Sequence, residues 1–290
     1  MMDKFFGGPI SRYMVALLVV WIGIFILTTG LPDASIVVSG GKANAQNIKH
    51  VREELHLDKP VWKRFGFLWT QMLKGELKSY YHSEPLQRVL AQKIGISLKL
   101  LLSSLISLFF LSCSWIFVLY RFRNSTWAAS VLMGITSSIP LFITLPLILF
   151  LCGRYDISPF IGGGACLAIY PSMLLATNLV DISGKKKTPP LYQILAKQCG
   201  LRGKPLFAMK LRTAYSAVQI LLNSIVFFIV LGIPVAEFML GIPGAGRWML
   251  ESILRIDLPV VYICAAFSAF VCALFFFFDE VYSFWAGADI

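Results

Sequence analysis

The sequence predicts an all-α polytopic membrane protein with six transmembrane helices, and three observations support this fold class. Hydrophobic residues make up 57% of the chain and charged residues only 14%, whereas charged residues reach about a quarter of a typical soluble domain. Uncharged runs long enough to cross the hydrocarbon core of a bilayer recur along the chain. The net charge of +11 is concentrated in short loops, which is typical of a membrane topology signal and not of a nucleic-acid-binding surface.

The first predicted element is a transmembrane helix within an N-terminal segment, residues 1–32. Lys4 and Arg12 precede an uncharged run over residues 13–32. A cleaved signal peptide is the alternative, because the Ala-Asn-Ala triplet at residues 43–45 resembles a cleavage site. That triplet lies too far beyond the apolar run, so we expect an uncleaved helix with its N-terminus in the cytoplasm.

Residues 33–92 form the second predicted unit, a helical segment of mixed charge on the outer side of the membrane. Ile48, Val51 and Leu55 share one face of a helix. The Asp-Lys-Pro triplet at residues 58–60 marks the start of another helix. We expect these helices to pack on the membrane spans.

Five further spans are predicted within the third unit, residues 93–285. The uncharged runs cover residues 100–120, 124–153, 157–180, 213–236 and 258–278. Basic residues concentrate in the loops at 121–123 and 185–212, whereas the loops at 154–156 and 241–257 are balanced in charge. Because short basic loops stay in the cytoplasm, this pattern predicts that both termini are cytoplasmic.

The long polar break over residues 182–214 is the most distinctive loop. Residues 185–212 carry eight Lys or Arg and no acidic residue. Thr188 is a suitable N-cap, prolines follow in the first turn, and Gly200 stands where a glycine often ends a helix. These features predict a short cytoplasmic helix over residues 189–199, suited to docking a soluble partner.

The sequence contains none of the residue constellations that predict an enzyme. It lacks a His-Glu-x-x-His motif, a Gly-x-Ser-x-Gly motif and a glycine loop for phosphate. Its histidines and cysteines lack metal-ligand spacing. Ionisable residues are almost absent from the spans, which argues against an ion-coupled transporter. Glu237, at the outer end of the fifth span, is either a carboxylate that reaches the surface or a gate and interhelical contact.

Four stretches of the chain resemble one transporter family. They are LHLDKPVWKRFGFLWTQMLKGELKSYYHSEPLQRVL, SSIPLFITLPLILFL, ILAKQCGLRGKPLFAMKLRTA and AEFMLGIPGAGRWMLESILRIDLPVV. Together they are similar to the B-type permease subunit of the dipeptide/oligopeptide/nickel ABC importers, a binding-protein-dependent inner-membrane component. The residues of the last two stretches that match are Ala196, Gly200, Leu201, Leu211, Arg212, Glu237, Pro243, Gly244, Gly246, Arg247, Asp257 and Pro259.

This resemblance implies a type I ABC importer permease fold in a bacterial inner membrane. The implied partners are membrane lipid, a second homologous permease, two ABC ATPase subunits and an extracytoplasmic solute-binding protein. ATP and magnesium would be used by the ATPase subunits, so no cofactor is expected on this chain. The resemblance implies an ATPase-docking site at Ala196, Gly200 and Leu201. We expect Leu191, Ile194 and Leu195 of the same predicted helix to supply its apolar contacts, although Ile194 and Leu195 depart from the family's pattern. The implied outer-gate residues are Glu237, Pro243, Gly244, Gly246, Arg247 and Asp257.

The resemblance also implies a cargo and leaves alternatives open. Oligo- or dipeptides are the family's commonest cargo, so we expect a peptide importer. Nickel or a metal chelate is the alternative cargo. A membrane scaffold or sensor subunit that does not transport is the alternative class of protein.

Overall fold

The fold is mainly helical in the part of the chain that the computed structural model describes. That part comprises residues 18–19, 22–23, 26, 34–39, 44–54, 57–82, 84–121, 131, 134–136, 138, 140–182, 198–200, 225 and 228–285. The β-type pairing in these residues is an isolated antiparallel bridge between Lys78 and Pro85. The predicted all-α class is therefore confirmed.

Nine helices can be followed in these residues. They are α1 (Ala34–Val38), α2 (Ala45–Glu54), α3 (Val61–Lys74), α4 (Leu86–Arg121), α5 (Leu141–Tyr155), α6 (Pro159–Ile182), α7 (Phe228–Leu240), α8 (Ala245–Leu254) and α9 (Leu258–Trp285). Among them, α4 and α6 are each long and apolar enough to cross a membrane. The broken pair α7 and α8 would make a third span if it is counted as one. Most of the first predicted span lies outside the described residues, so the count of six stays a prediction.

Two predicted span boundaries are wrong. The run over residues 124–153 is interrupted, because α5 begins only after Pro140, whose backbone is extended. A proline has no N–H to donate, so it is tolerated where a helix starts. The span predicted to end at residue 236 also has a different end. Its helix, α7, continues to Leu240 and therefore includes Glu237.

The chain divides into two compact units, Gly95–Arg247 and Met1–Ile94 with Trp248–Ile290. The core of the first unit is formed by α4, α5, α6 and α7. Its most deeply buried side chains include Leu100, Leu145, Leu167, Ile225 and Ile229. Each of these helices also exposes large apolar side chains, such as Phe109 on α4 and Phe150 on α5.

Three consecutive glycines allow α6 to approach its neighbours closely. A Cβ atom at Gly164 would lie 2.8 Å from the backbone carbonyl carbon of Ser103 on α4. The Oγ atom of Ser103 donates a hydrogen bond to the carbonyl oxygen of Phe160 at 2.8 Å. A Cβ atom at Gly163 would lie 2.5 Å from Leu240 on α7. Small residues serve the same purpose in many pairs of membrane helices.

In the second unit, α3 and the segment that follows it pack against the start of α9. Leu68 of α3 and Tyr80 pack against Leu258 and Tyr262 of α9. The predicted helix start after residues 58–60 is confirmed, because α3 begins at Val61 with Pro60 before it. Its C-terminus is closed by Gly75 at φ 79°, a left-handed conformation that glycine adopts without strain.

The close contact at Gly164 makes the first testable prediction. We expect Gly164→Val to destabilise the protein by about 2 kcal/mol or more, because the added side chain would overlap the backbone of α4. Thermal unfolding of the purified protein measures the effect. Gly153→Val is the matched control, since a Cβ atom at this helical glycine meets nothing within 4 Å. Equal unfolding temperatures for the two variants would contradict the packing described for α6.

Candidate functional site

The turn between α7 and α8 is organised around the carboxylate of Glu237. This side chain is completely buried. Its Oε2 atom accepts hydrogen bonds from the backbone N–H groups of Gly246 at 2.8 Å and Arg247 at 3.0 Å. The first N–H groups of a helix have no partner within the helix, and a negative charge there is favourable. Glu237 of α7 therefore caps the N-terminus of α8.

This geometry decides between the two interpretations of Glu237. A carboxylate that reaches the surface is wrong, because the side chain is completely buried. The carboxylate makes an interhelical contact, since it joins α7 to the first turn of α8. A role as a gate stays a prediction.

Two more side chains complete the turn. The backbone N–H of Ala245 donates to the Oγ atom of Ser97 on α4 at 2.9 Å. The Nη1 atom of Arg247 donates to the carbonyl oxygen of Gly241 at 2.6 Å. Gly241 has a φ of 71°, which allows the chain to leave α7 without steric strain. The first three N–H groups of α8 are thus held by side chains of α4 and α7.

Gly244 and Gly246 are required by the space around Glu237. A Cβ atom at Gly244 would overlap the Glu237 carboxylate. A Cβ atom at Gly246 would lie 2.5 Å from the Cα atom of Pro234 in α7. The sequence indicated a tight turn here, and the structure shows that the carboxylate and the backbone of α7 fill the space that side chains would need. Pro243 lies on the exposed side of the turn.

Asp257 is the other predicted gate residue, and it belongs to the second unit. Its buried carboxylate accepts hydrogen bonds from the Oγ atom of Ser79 and from the backbone N–H of Tyr80 at 3.2 Å. Nearby, the hydroxyl of Tyr81 donates to the carbonyl oxygen of Arg255 at 2.8 Å. These bonds fasten the segment after α3 to the loop that leads into α9.

Burial also changes the protonation of this loop. It raises the pKa of Asp257, and the hydrogen bonds from Ser79 and Tyr80 and the charges of His82 and Arg255 offset only part of that rise. Burial and the nearby Asp257 together raise the pKa of Tyr81, so this hydroxyl stays a donor up to and beyond pH 10.

A cavity of about 490 Å³ opens beside these residues, within the same unit. Its lining consists of Ser79, Tyr81, His82, Glu84, Leu86, Val89 and Trp248. Among the described residues, no group of three or more His, Cys, Asp or Glu side chains could hold a metal ion. The lining of the cavity is a mixture of polar, aromatic and aliphatic side chains.

The predicted docking loop falls almost entirely outside the described residues. This applies to Leu191, Ile194, Leu195, Ala196 and Leu201. Gly200 is described, and its φ of 79° is the left-handed conformation expected of a glycine at the end of a helix. Gln198, two residues before Gly200, is helical. A Cβ atom at Gly200 would meet nothing within 4 Å.

Several hydrogen-bond partners in the turn after α7 and around Asp257 left no sign in the sequence. They are Ser97, which accepts from Ala245 in the turn, and Ser79 and Tyr80, which donate to Asp257. These are ordinary polar residues far away in the sequence, so no local pattern points to them.

Comparison with known proteins supports the resemblance found in the sequence. No family model matches the chain. A Brucella melitensis protein named as a peptide transport system permease is 24% identical over 295 aligned positions, covering 93% of each chain. A Sinorhizobium fredii protein named as a peptide ABC transporter permease is 21% identical, covering 88% of this chain and 90% of the relative. The glutathione transport system permease GsiC of Pectobacterium atrosepticum is 25% identical, covering 90% of each chain.

The chain is a homologue of ABC transporter permease subunits. The predicted resemblance is therefore confirmed, as is the class of polytopic integral membrane protein. These relatives are named as permeases and not as enzymes, which agrees with the missing catalytic motifs. Because the similarity covers about nine-tenths of the chain, it includes both the outer segment and the turn at Glu237.

The cap on α8 leads to the second prediction. We expect Glu237→Ala to lower the free energy of unfolding by about 1–3 kcal/mol, because two partly buried N–H groups lose their acceptor. Glu237→Gln keeps one acceptor oxygen and should lose less. Thermal unfolding of the purified protein measures both effects, with Glu76→Ala as a control at an exposed carboxylate. If Glu237→Ala unfolds at the same temperature as Glu76→Ala, the capping role is wrong.

The raised pKa of Asp257 gives the third prediction. Because its pKa is higher in the folded protein than the ordinary value of 3.8, the folded state binds this proton more tightly than the unfolded chain does. The resulting stabilisation is complete below pH 3.8 and is lost as the pH rises through the raised pKa. Asp257→Asn resembles the protonated form and does not titrate. We therefore expect its unfolding temperature to rise relative to the wild type between pH 4 and pH 7. If the difference in unfolding temperature between Asp257→Asn and the wild type stays constant from pH 4 to pH 7, the raised pKa of Asp257 is wrong.

Proposed function

We propose that this chain is the transmembrane permease subunit of an ATP-driven ABC importer and forms half of a translocation pathway for oligo- or dipeptides. The observation that carries the proposal is the end-to-end similarity to permeases named for peptide and glutathione transport. Glutathione is itself a small peptide, so both names indicate the same chemical class of cargo. Nickel or a metal chelate is the alternative, and the names of these relatives favour peptides.

The relatives' names as components of transport systems also support the proposed assembly. This chain would pair with a second, homologous permease. Two ABC ATPase subunits would dock beneath the pair, and an extracytoplasmic solute-binding protein would deliver the cargo. ATP and magnesium would be bound by the ATPase subunits, so this chain needs no cofactor of its own.

The cytoplasmic loop supplies the proposed contact with the ATPase. The predicted helix over residues 189–199 would lie in a cleft of the ATPase, with Leu191, Ile194 and Leu195 as its apolar contacts. The left-handed conformation of Gly200 supports a helix end at this position. Open space around its Cα atom leaves room for a partner to approach.

At the other end of α7, the capped turn would transmit movement within its own unit. Hydrogen bonds from Gly246 and Arg247 to Glu237 fix the start of α8 to α7. When α7 reorients during alternating access, residues 241–247 would move with it as one rigid element. This is the proposed basis for an outer gate at Glu237, Pro243, Gly244, Gly246 and Arg247.

The fourth prediction tests transport and docking together. A strain that lacks this chain should regain ATP-dependent uptake of radiolabelled di- or tripeptides when the wild-type chain is expressed with its partner subunits. Gly200→Val should abolish uptake and release the ATPase subunits on co-purification, because a β-branched residue in the left-handed conformation costs about 1–3 kcal/mol. Ile194→Asp should have the same effect because it places a charge in the apolar contact.

Matched controls separate the possible outcomes. Gly153→Val makes the same change at an open helical glycine and should leave uptake intact. Normal uptake by both docking variants would mean that the ATPase docks elsewhere. Nickel uptake without peptide uptake would favour the alternative cargo, and the absence of both from a membrane-inserted wild-type complex would refute an importer.

The fifth prediction concerns topology. The loop charges place residues 33–92 outside and residues 182–214 in the cytoplasm. A reporter active only in the periplasm should therefore be active when fused at Ser79 and inactive when fused at Lys186. A reporter active only in the cytoplasm should give the opposite result. If both fusions report the same side, the proposed arrangement of the spans is wrong.

A further inference from the structure

Helix α3 carries two neighbouring apolar faces, and one of them exposes large side chains at both of its ends. The covered face includes Leu68, which packs against Leu258 and Tyr262 at the start of α9. Met72, four residues further on, lies on the same side of the helix and is half-buried. This face explains why α3 is held in place, but it accounts for only part of the helix's apolar surface.

The second face is exposed at its two ends, whereas Trp69 between them is half-buried. Trp62, Gly66, Trp69 and Leu73 follow one another at intervals of four, three and four residues, which places them in one stripe along a helix. Trp62 is 68% exposed and Leu73 is 77% exposed. A Cβ atom at Gly66, in the middle of the stripe, would meet nothing within 4 Å.

Basic residues border this stripe along one side. Lys63 and Lys74 are both exposed, and each directly follows a stripe residue in the sequence. No acidic residue lies within α3. Tryptophan beside lysine is typical of helices at a membrane surface, where the ring enters the headgroup region and the ammonium group meets lipid phosphate.

The position of α3 on α9 is what favours a bilayer over a protein partner. Leu258 and Tyr262, which contact Leu68, lie in the first two turns of α9. Residues Leu258–Val271 of α9 form an apolar helix, and they open the uncharged run over residues 258–278 that the sequence predicts to span the membrane. A helix packed on the first turns of this predicted span would lie at the level where α9 enters the bilayer.

We propose that α3 is an interfacial helix whose stripe inserts into the bilayer surface while Lys63 and Lys74 bind the phosphates of anionic lipids. The occupant of the stripe is the membrane itself. This inference depends on membrane insertion of the chain and on no feature of its cargo or ATPase, so it stands or falls separately from the proposed transport function.

Photocrosslinking in the membrane tests which partner covers the stripe. A benzophenone amino acid is placed at Trp62 or at Leu73 in the full chain, co-expressed with its partner subunits, and membranes are irradiated. Glu53 is the control position, because it is exposed at the polar end of α2. We expect lipid adducts at Trp62 and Leu73 in clear excess over those at Glu53. Mainly protein adducts, or equal lipid yields at all three positions, would overturn the proposal.

Charge reversal tests the part played by the lysines. The chain with the benzophenone amino acid at Trp62 is reconstituted in vesicles and irradiated there. The vesicles consist of phosphatidylcholine alone or of phosphatidylcholine mixed with phosphatidylglycerol. Each lysine near an anionic surface favours binding by about fivefold, so phosphatidylglycerol should raise the lipid adduct yield at Trp62. The double variant Lys63→Glu with Lys74→Glu should lose this gain.

Lys49→Glu provides the matched control, because Lys49 is an exposed lysine on α2. It should keep the full response to phosphatidylglycerol. Thermal unfolding of every variant shows beforehand that the fold is intact, which we expect because all three lysines are exposed. A double variant that responds to phosphatidylglycerol as the wild type does would overturn the role of the lysines.

Discussion

The buried carboxylate of Glu237 is the interaction on which the turn after α7 depends. A helix that starts where water is excluded must find acceptors for its first N–H groups within the protein. Glu237 supplies the acceptor for Gly246 and Arg247, and Ser97 supplies one for Ala245. The same carboxylate fills the space next to Gly244, so the choice of glycine there follows from it. Capping and packing at this turn therefore depend on one side chain.

Asp257 uses the same chemistry in the second unit for a different purpose. Its carboxylate accepts from Ser79 and from the backbone of Tyr80, which belong to a distant part of the chain. Burial raises its pKa because the charged form loses hydration. One carboxylate closes a turn between consecutive helices, and the other fastens the segment after α3 to the loop before α9. Each carboxylate therefore fixes the course of the backbone where two helices meet.

The helices themselves reflect the two solvents that a membrane protein meets. Glycines at residues 162–164 bring α6 close to its neighbours, which suits helices that gain little from hydrophobic burial against one another in lipid. Helix α3 has a different design, with one apolar face packed on α9 and a second face that exposes Trp62 and Leu73 beside basic residues. The first arrangement suits the membrane interior and the second its surface.

Local patterns in the sequence determined the helical class, the start of α3, the glycine conformation at Gly200 and the tight turn near Gly244, because each depends on residues close together in the chain. The helix start after Pro140 and the continuation of α7 through Glu237 were visible only in the structure, since an uncharged run alone does not show where a membrane helix begins or ends. The partners of Ala245 and Asp257 were equally out of reach. Ser97 lies 148 residues from Ala245 and Ser79 lies 178 residues from Asp257. Only the folded chain brings such groups together, because hydrogen bonding between distant residues leaves no periodic trace in the sequence.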